Sequence, residues 1–314
     1  MTTGERIGGD PPSGRAVSVV VPTFDRLEYV GPTLESVFAQ TWNDWELIIA
    51  DDGSGDELRS YLRTLQNRPR VKVVWLAHRG IPAAVRNAAI QEATGRYVAF
   101  LDSDDLWAPR KLQLQIAQLA ARPECRWSYT GFRQVDRAGA PLVARGPGWH
   151  PHEGDIFEQL VIHSAELRTP SVMVDRQLLG EVGGFDETMS SGEDYDLWTR
   201  LALRSPVVVI DEPLVDVRRH DRNYSANWAI AFEGRDRSLA KLQAVVDPRR
   251  RALLRRERSR NGAKLVAEHV VRGERLEALR AFVGSAAYSW PYPEWWWRVV
   301  RAAAGSYLRN RPRP

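Results

Sequence analysis

The sequence predicts an α/β protein built on a doubly wound, mainly parallel, Rossmann-like sheet with a helical C-terminal extension. Three observations predict it. Four short apolar runs, in VSVVVPT (17–23), ELIIADDGS (46–54), VKVVWL (71–76) and RYVAFLD (96–102), have the length and continuity of strands buried on both faces. Segments with helical spacing separate them, and strands alternating with helices build a parallel sheet. Beyond about residue 222 the chain reads as helices rich in arginine.

Each element follows from local signals. The first strand ends at Pro22, and residues 27–40 then set Leu27, Val30, Leu34, Val37 and Phe38 at helical spacing. The second strand closes in a turn, and a helix is expected over 56–66. After the third strand, PAAVRNAAIQEAT (82–94) has Pro82 in its first turn and Gly95 just past its end, the usual start and stop pair. The fourth strand leads into a helix over 109–121. From about 126 the pattern changes. RWSYTGFRQVDRAGAPLV predicts strands around a turn at 136–139. Helices are expected at 155–163 and 176–181, with a short strand at 171–174. GGFDE (183–187) reads as a turn, EDYDLWTRLAL (193–203) as an amphipathic helix, and VVVIDEPLVDVRRH (207–220) as two strands interrupted by Pro213. The expected organisation is a flexible leader over 1–15, a domain over 16–222 with halves 16–125 and 126–222, and a helical, Arg- and Trp-rich region over 223–314.

The chain has 314 residues, 43% hydrophobic and 27% charged, a balance that suits a globular protein with a sizeable core. Its single cysteine, Cys125, excludes an internal disulfide framework and a thiolate zinc cluster, and fits a reducing cytoplasm. No run reaches 18 uninterrupted apolar residues, so no membrane span is expected, and the leader lacks the apolar segment of a signal peptide. Net charge is +4, unevenly spread. Residues 249–260 hold seven arginines against one glutamate, and no acid follows Glu294. That asymmetry suits an anionic partner, either a lipid surface or a phosphate-bearing acceptor, and a solvated helix face accounts for it equally.

The chemistry starts at the fourth strand, which runs straight into Asp102, Asp104 and Asp105. Two carboxylates 4 Å apart repel by roughly 4 kcal/mol at an effective dielectric near 20. A hard divalent cation relieves that repulsion. Mg²⁺ takes one or two carboxylates and completes its shell with water and substrate phosphates. Asp-x-Asp at a strand end therefore suits a metal bridged to a diphosphate, although acidic strand ends also cap helices or stay solvated. Pro22-Thr23 and Asp51-Asp52 end the first and second strands, so polar residues from three strands converge on one edge, where open α/β sheets bind ligands.

VSVVVPTFDR, DWELIIADDGSGD, GIPAAVRNAAIQEATGRYVAFLDSDDLWAPRKL and VGGFDETMSSGEDYDLWTRLA occur in this order. Together they resemble the family 2 inverting glycosyltransferases of the GT-A fold, over roughly residues 16–222. The resemblance implies a nucleotide-diphosphate sugar donor (a UDP-, GDP- or dTDP-sugar), a hydroxyl acceptor, and Mg²⁺ or Mn²⁺. Carried over position by position, it puts Pro22, Thr23 and Asp25 along the nucleotide. Asp52 would face the base or ribose with Asp51 beside it, and Arg86 would lie near the nucleotide. Asp102 would contact the ribose or the metal, with Ser103 next to it on the nucleotide. Asp104 would be the principal metal ligand and Asp105 structural. From the residues alone, Asp51 and Asp52 also suit a turn with Gly53, with Arg86 as their ion-pair partner.

The family places its general base in GEDYDLW (192–198), where the resemblance makes Asp194 the first candidate and Glu193 the second. Acidic residues there also complement a helix N-terminus. Trp198, four residues from Asp194 on one helix face, would floor the acceptor site or belong to the core. RRHDRNYS (218–225) resembles the Arg-x-His element that follows the catalytic helix in many relatives. His220 would then ligate the metal or bond the departing diphosphate, and Arg218 or Arg219 would offset its charge. The other histidines show no ligand-like spacing.

PYPEWWWRVVRAAAGSYLRNRPRP (291–314) combines Trp295, Trp296 and Trp297 with Arg298 and Arg301. That suits either the lipid–water boundary, hence peripheral contact at the inner face of a cell membrane, or closure over the core. No G-x-G-x-x-G follows the first strand, which argues against a dinucleotide oxidoreductase. A phosphatase-type fold would carry Asp-x-Asp on its first strand, and leaves 192–198 unexplained. A non-catalytic nucleotide-sugar- or glycan-binding protein of the same fold is the alternative reading. Nothing in the sequence points to nucleic acid.

Overall fold

The computed structural model describes residues 16–143, 149–220 and 228–309; the expected leader, residues 1–15, lies outside them. The first half alternates as the sequence predicts: β1 (Val17–Thr23), α1 (Leu27–Phe38), β2 (Trp45–Asp51), α2 (Asp56–Gln66), β3 (Val71–Trp75), α3 (Pro82–Gln91) and β4 (Tyr97–Phe100). β1 pairs in parallel with both β2 and β4, and β2 in parallel with β3. Val17, Val19, Val20, Leu47, Ile48, Val98 and Phe100 have no exposed surface, because helices cover both faces of this half-sheet.

The second half turns the sheet into a mixed one. Its elements are β5 (Leu106–Trp107), α4 (Lys111–Ala121), β6 (Trp127–Val135), β7 (Pro141–Val143), α5 (Phe157–Val161), a 3₁₀ turn at Thr169–Ser171, β8 (Met173–Asp175), α6 (Arg176–Glu181), α7 (Glu193–Ala202) and β9 (Val207–Arg218). The strand order is β3-β2-β1-β4-β8-β6-β9-β5, with β7 beside β6. β8 joins β4 antiparallel and β6 runs antiparallel to β8, whereas β9 lies parallel to β6. The direction therefore reverses beside β4, and a crevice opens at the carboxyl ends of β1 and β4.

One expectation is corrected here, and one element is new. Residues 207–218 form one strand, not two. Pro213 sits where β9 slips register against Thr130 and Gly131, a bulge that tolerates its missing N–H. Gly131 makes this possible, since a Cβ there would lie 2.7 Å from the Glu212 carbonyl oxygen. β5, two residues long, carries no periodicity and has no counterpart in the sequence reading.

The C-terminal region is helical, as expected: α8 (Trp228–Leu242), α9 (Pro248–Arg272), α10 (Arg275–Ser289) and α11 (Pro293–Arg309). Leu239, Leu242, Val246 and Leu254 pack into the main core. Trp295 is buried elsewhere, against Phe282 and Trp296. The tryptophan run thus splits. Trp295 closes a separate cluster of the last helices, and Trp297, like Trp290 before the run, stands exposed. The basic run at 249–260 is largely neutralised: Arg250 pairs with Asp155, Arg258 with Asp236, Arg256 with Glu294 and Arg260 with Glu257. Among the described residues no helix is long and apolar enough to cross a membrane.

Candidate active site

A cleft of about 1110 Å³ opens at the strand ends, between the carboxyl tips of β1 and β4, the N-terminus of α7 and the flank of α8 and α9. Pro22, Thr23, Asp25, Asp52, Arg86, Asp102, Ser103, Asp104, Glu193, Asp194, Trp198 and Arg219 all contribute to its wall. The Asp-x-Asp and GEDYDLW motifs, about ninety residues apart in sequence, therefore face one space.

Arg86 joins them. Its guanidinium donates to Asp102 Oδ1 at 2.8 Å through one amino group and to Glu193 Oε1 at 2.8 Å through the other. Burial alone works against the charge on Arg86, but Asp102 and Glu193 hold its pKa above the ordinary arginine value. Burial likewise pushes Glu193 up, against the pull of Arg86 and with the help of Asp194. Asp194 makes no salt bridge among the described residues. Its Oδ1 accepts the Tyr195 backbone N–H at 2.7 Å, and its Oδ2 lies 3.4 Å from the Thr169 hydroxyl.

Asp104 is built differently. Its Oδ2 pairs with Arg26 and lies 3.0 Å from His220 Nε2. The imidazole stacks on Tyr29, with ring centroids 4.8 Å apart. Asp105 points inward. Its Oδ1 accepts the Arg218 backbone N–H at 2.9 Å, and burial, with Asp104 and Asp102 nearby, raises its pKa well above the carboxylate range.

Several predicted residues shape the site from behind. Asp51 does not line the cleft: it is fully buried and accepts the Ser54 N–H in the turn after β2. Asp52 accepts the Arg79 and Gly80 N–H groups at 2.9 Å and so fixes the 78–80 loop. Asp25, at φ 45°, accepts Gly55 N–H at 2.8 Å. Of the two arginines at the end of β9, Arg219 lines the cleft, while Arg218 turns away and donates to the backbone oxygens of Asp104 and Arg137. Trp198 meets both of its expected readings. It packs on Phe100 and Phe185 in the core, yet lines the cleft with its buried indole N–H unpartnered. The Thr23 hydroxyl is also buried without a partner at the cleft wall.

The sequence reading missed Arg26, His78, His163, Arg168, Thr169, Arg235 and Lys264, all of which line the cleft. Arg26 is the last residue of the quoted VSVVVPTFDR stretch, where no role is given to it. His78 stacks on Phe24 at 4.1 Å and bonds the Asp52 carbonyl oxygen. His163 is pushed down to about 4 by burial and by the cations Arg235, Lys264 and Arg168. Only the fold brings these residues to the site.

Among the described residues no three His, Cys, Asp or Glu side chains form a metal cage. The donors present still fit a cation that shares its shell with a diphosphate. Mg²⁺ binds oxygen at 2.0–2.1 Å in an octahedron, whose neighbouring ligands stand roughly 3 Å apart. Asp104 Oδ2 and His220 Nε2 stand 3.0 Å apart, and Arg26 pairs with that oxygen and lies 3.3 Å from that nitrogen, so a cation held by the two would displace its guanidinium.

Residues 18–139 match the family described as Glycosyl transferase family 2. A putative teichuronic acid biosynthesis glycosyltransferase, TuaG of Bacillus subtilis (strain 168), is 31% identical over 218 residues, which cover 68% of this chain and 84% of TuaG. WfgD of Escherichia coli, a UDP-Glc:alpha-D-GlcNAc-diphosphoundecaprenol beta-1,3-glucosyltransferase, is 35% identical over 182 residues, 58% of this chain and 68% of WfgD. The chain spans only 33% of the length of a Rickettsia felis glycosyltransferase to which it is 32% identical over 64% of its own. In fold it is similar to S. aureus TarS 1–349 in complex with UDP-GlcNAc, with TM-score 0.70, 17% identity, and coverage of 95% of this chain and 93% of that one. It is also similar to the mannosyltransferase PcManGT of Pyrobaculum calidifontis in complex with GDP-Man and Mn²⁺, with TM-score 0.61, 18% identity, and coverage of 98% and 90%.

Proposed function

The chain belongs to glycosyl transferase family 2, and from that premise we propose that it moves a sugar from a nucleotide-diphosphate donor to a hydroxyl acceptor, inverting the anomeric centre in a single displacement. One observation carries this reading: Arg86 ties Asp102 to Glu193, so the donor-side and acceptor-side carboxylates share one cleft.

In this mechanism the nucleotide lies over the ends of β1 and β2. The Phe24–His78 stack offers an apolar wall to the base, and the unpartnered Thr23 hydroxyl a polar contact. Asp104 and His220 would hold Mg²⁺ or Mn²⁺, which would supply charge to offset the departing diphosphate. Arg219 and Arg26 lie at the same end and add charge-assisted hydrogen bonds. Across the cleft Asp194 accepts the acceptor's hydroxyl proton as that oxygen forms its bond to the anomeric carbon. The bond from that carbon to the diphosphate breaks, and the nucleoside diphosphate keeps the electron pair. Arg86 holds Glu193 in an ion pair and leaves the proton transfer to Asp194. The acceptor is proposed to be lipid-linked, as the name of WfgD states for that relative, and met at a membrane surface through the C-terminal helices.

Two measurements test this. Thermal unfolding with UDP, GDP and dTDP, each with Mn²⁺, is expected to show stabilisation by at least one nucleotide, lost in Asp104→Ala. NMR of the product is expected to show an inverted anomeric centre. A retained centre excludes the single displacement, and no stabilisation by any nucleotide favours a chain that kept the fold without the chemistry.

A further inference from the structure

Lys264, on α9, lines two cavities at once. One is the cleft of the candidate active site. The other is a groove of about 440 Å³ on the C-terminal helices, bounded by Ala263, Lys264, Ala267, Trp297, Arg298 and Arg301. The same residue thus borders both the space that holds Asp194 and an outer groove between α9 and α11.

The charge in this groove is uncompensated. The arginines nearby on α9 are matched: Arg256 to Glu294, Arg258 to Asp236 and Arg260 to Glu257. Lys264, Arg298 and Arg301 have no salt-bridge partner among the described residues. Burial, and then Arg235 and Arg298, depress the Lys264 pKa, against the opposing pull of Glu257. Three cations line this groove and none of them makes a salt bridge among the described residues; Glu257, the acid that acts on Lys264, is paired with Arg260, which leaves a site for an anion. The floor is open because Ala263 and Ala267 are small. One wall is apolar: Trp297, 67% exposed, lines the groove, and Val300 is exposed on the same helix, α11. Cations set among exposed tryptophan and aliphatic side chains suit a phosphate held at the edge of a lipid layer.

We propose that Lys264, Arg298 and Arg301 bind a phosphate group of the acceptor where it emerges from a lipid surface, with the acceptor's sugar reaching past Lys264 toward Asp194. The proposal rests on the glycosyltransferase reading and extends it by naming the acceptor as phosphate-bearing and by assigning residues to the phosphate.

Co-sedimentation of the full chain with vesicles of phosphatidylcholine, with and without phosphatidylglycerol, tests it. Each cation near an anionic surface contributes about 1 kcal/mol, so Arg298→Ala with Arg301→Ala is expected to weaken partition onto the anionic vesicles roughly thirtyfold. Arg255→Ala removes an exposed arginine of α9 that lines neither cavity and is expected to bind as wild type. Inorganic pyrophosphate, matched for ionic strength with chloride, separates the two sources of phosphate. Release of the protein assigns the site to free phosphate groups, and retention assigns it to headgroups in the layer. Equal binding of wild type and the double variant, or an equal loss in Arg255→Ala, overturns the site. Donor hydrolysis in water by wild type is measured on the same preparation. Its absence counts against the glycosyltransferase reading, and its presence beside charge-indifferent vesicle binding counts against the phosphate site alone.

Discussion

Glu193 and Asp194 are neighbours in sequence with different surroundings. Glu193 is buried and bonded to Arg86, whereas Asp194 keeps one carboxylate oxygen with only a long contact to Thr169. A carboxylate already satisfied by a guanidinium has less to offer an incoming proton. Asp194→Asn is therefore expected to lower turnover by about a hundredfold or more with donor binding retained. Steady-state kinetics beside donor titration check this; an active Asp194→Asn with an inactive Glu193→Gln reassigns the base. A second residue stands apart from the site. Lys111 is fully buried, with its ammonium 2.7 Å from Gln115 Oε1 and 4.0 Å from the Trp107 ring centre, and burial sets its pKa well below 10.5. Between the lowered value and 10.5 the unfolded chain holds the proton that the folded chain sheds, so this group makes stability rise with pH. Relative to wild type, Lys111→Met is expected to be most favourable at the acidic end of the range, and its advantage to shrink as pH rises toward 10.5. Melting temperatures across that range test it, and a pH-independent difference excludes a shifted lysine. At this scale Asp102, Asp104, Glu193 and Asp194 were legible because each lies in a contiguous motif. Arg26, Arg168, Arg235 and Lys264 were not, because an isolated arginine or lysine reads as solvated surface until folding turns it inward.

Among the elements, α7 and α8 meet more closely than side chains allow. A Cβ on Gly234 would lie 2.2 Å from the Ser191 carbonyl oxygen, just before Gly192, whose φ of 70° starts α7. The turn that presents Glu193 and Asp194 is thus braced by the backbone of α8. Gly234→Ala is expected to cost about 1–3 kcal/mol in stability. Turnover should fall further than the lost folded fraction explains, because the displaced turn carries Asp194, the proposed base. Unfolding curves read beside single-turnover rates would reveal this, and an unchanged melting temperature would show that the helix moves aside freely. Long periodic elements such as α1, α2 and the buried strands of the first half were predictable from pattern alone. β5 and the unbroken course of β9 were not, since one is too short to show a period and the other crosses Pro213 through a bulge set by its partner strand.

Across the whole molecule, packing is uneven. β1, β2 and β4 lie in the main core. α10 and α11 rest on α9, and α10 leaves Leu276, Leu279 and Val283 more than half exposed. Hydrogen exchange is expected to open α10 and α11 well before the central strands, and equal protection would show that the last helices unfold only with the sheet. The doubly wound half was visible in the sequence because strand and helix alternate there. The reversal at β8 was hidden, because a three-residue strand does not announce its direction. That reversal has a consequence for how the molecule comes into being. β4 must await β8, some seventy-five residues later, and β6 must await β9, some eighty residues later, before either edge is covered. Loop closure over such spans is slow. On the ribosome, a nascent chain that has released only its first half owns every carboxylate of the Asp-x-Asp run, with Arg26 and Arg86 beside them, but neither His220 nor Glu193 and Asp194, so the cleft gains its opposite wall late and all at once.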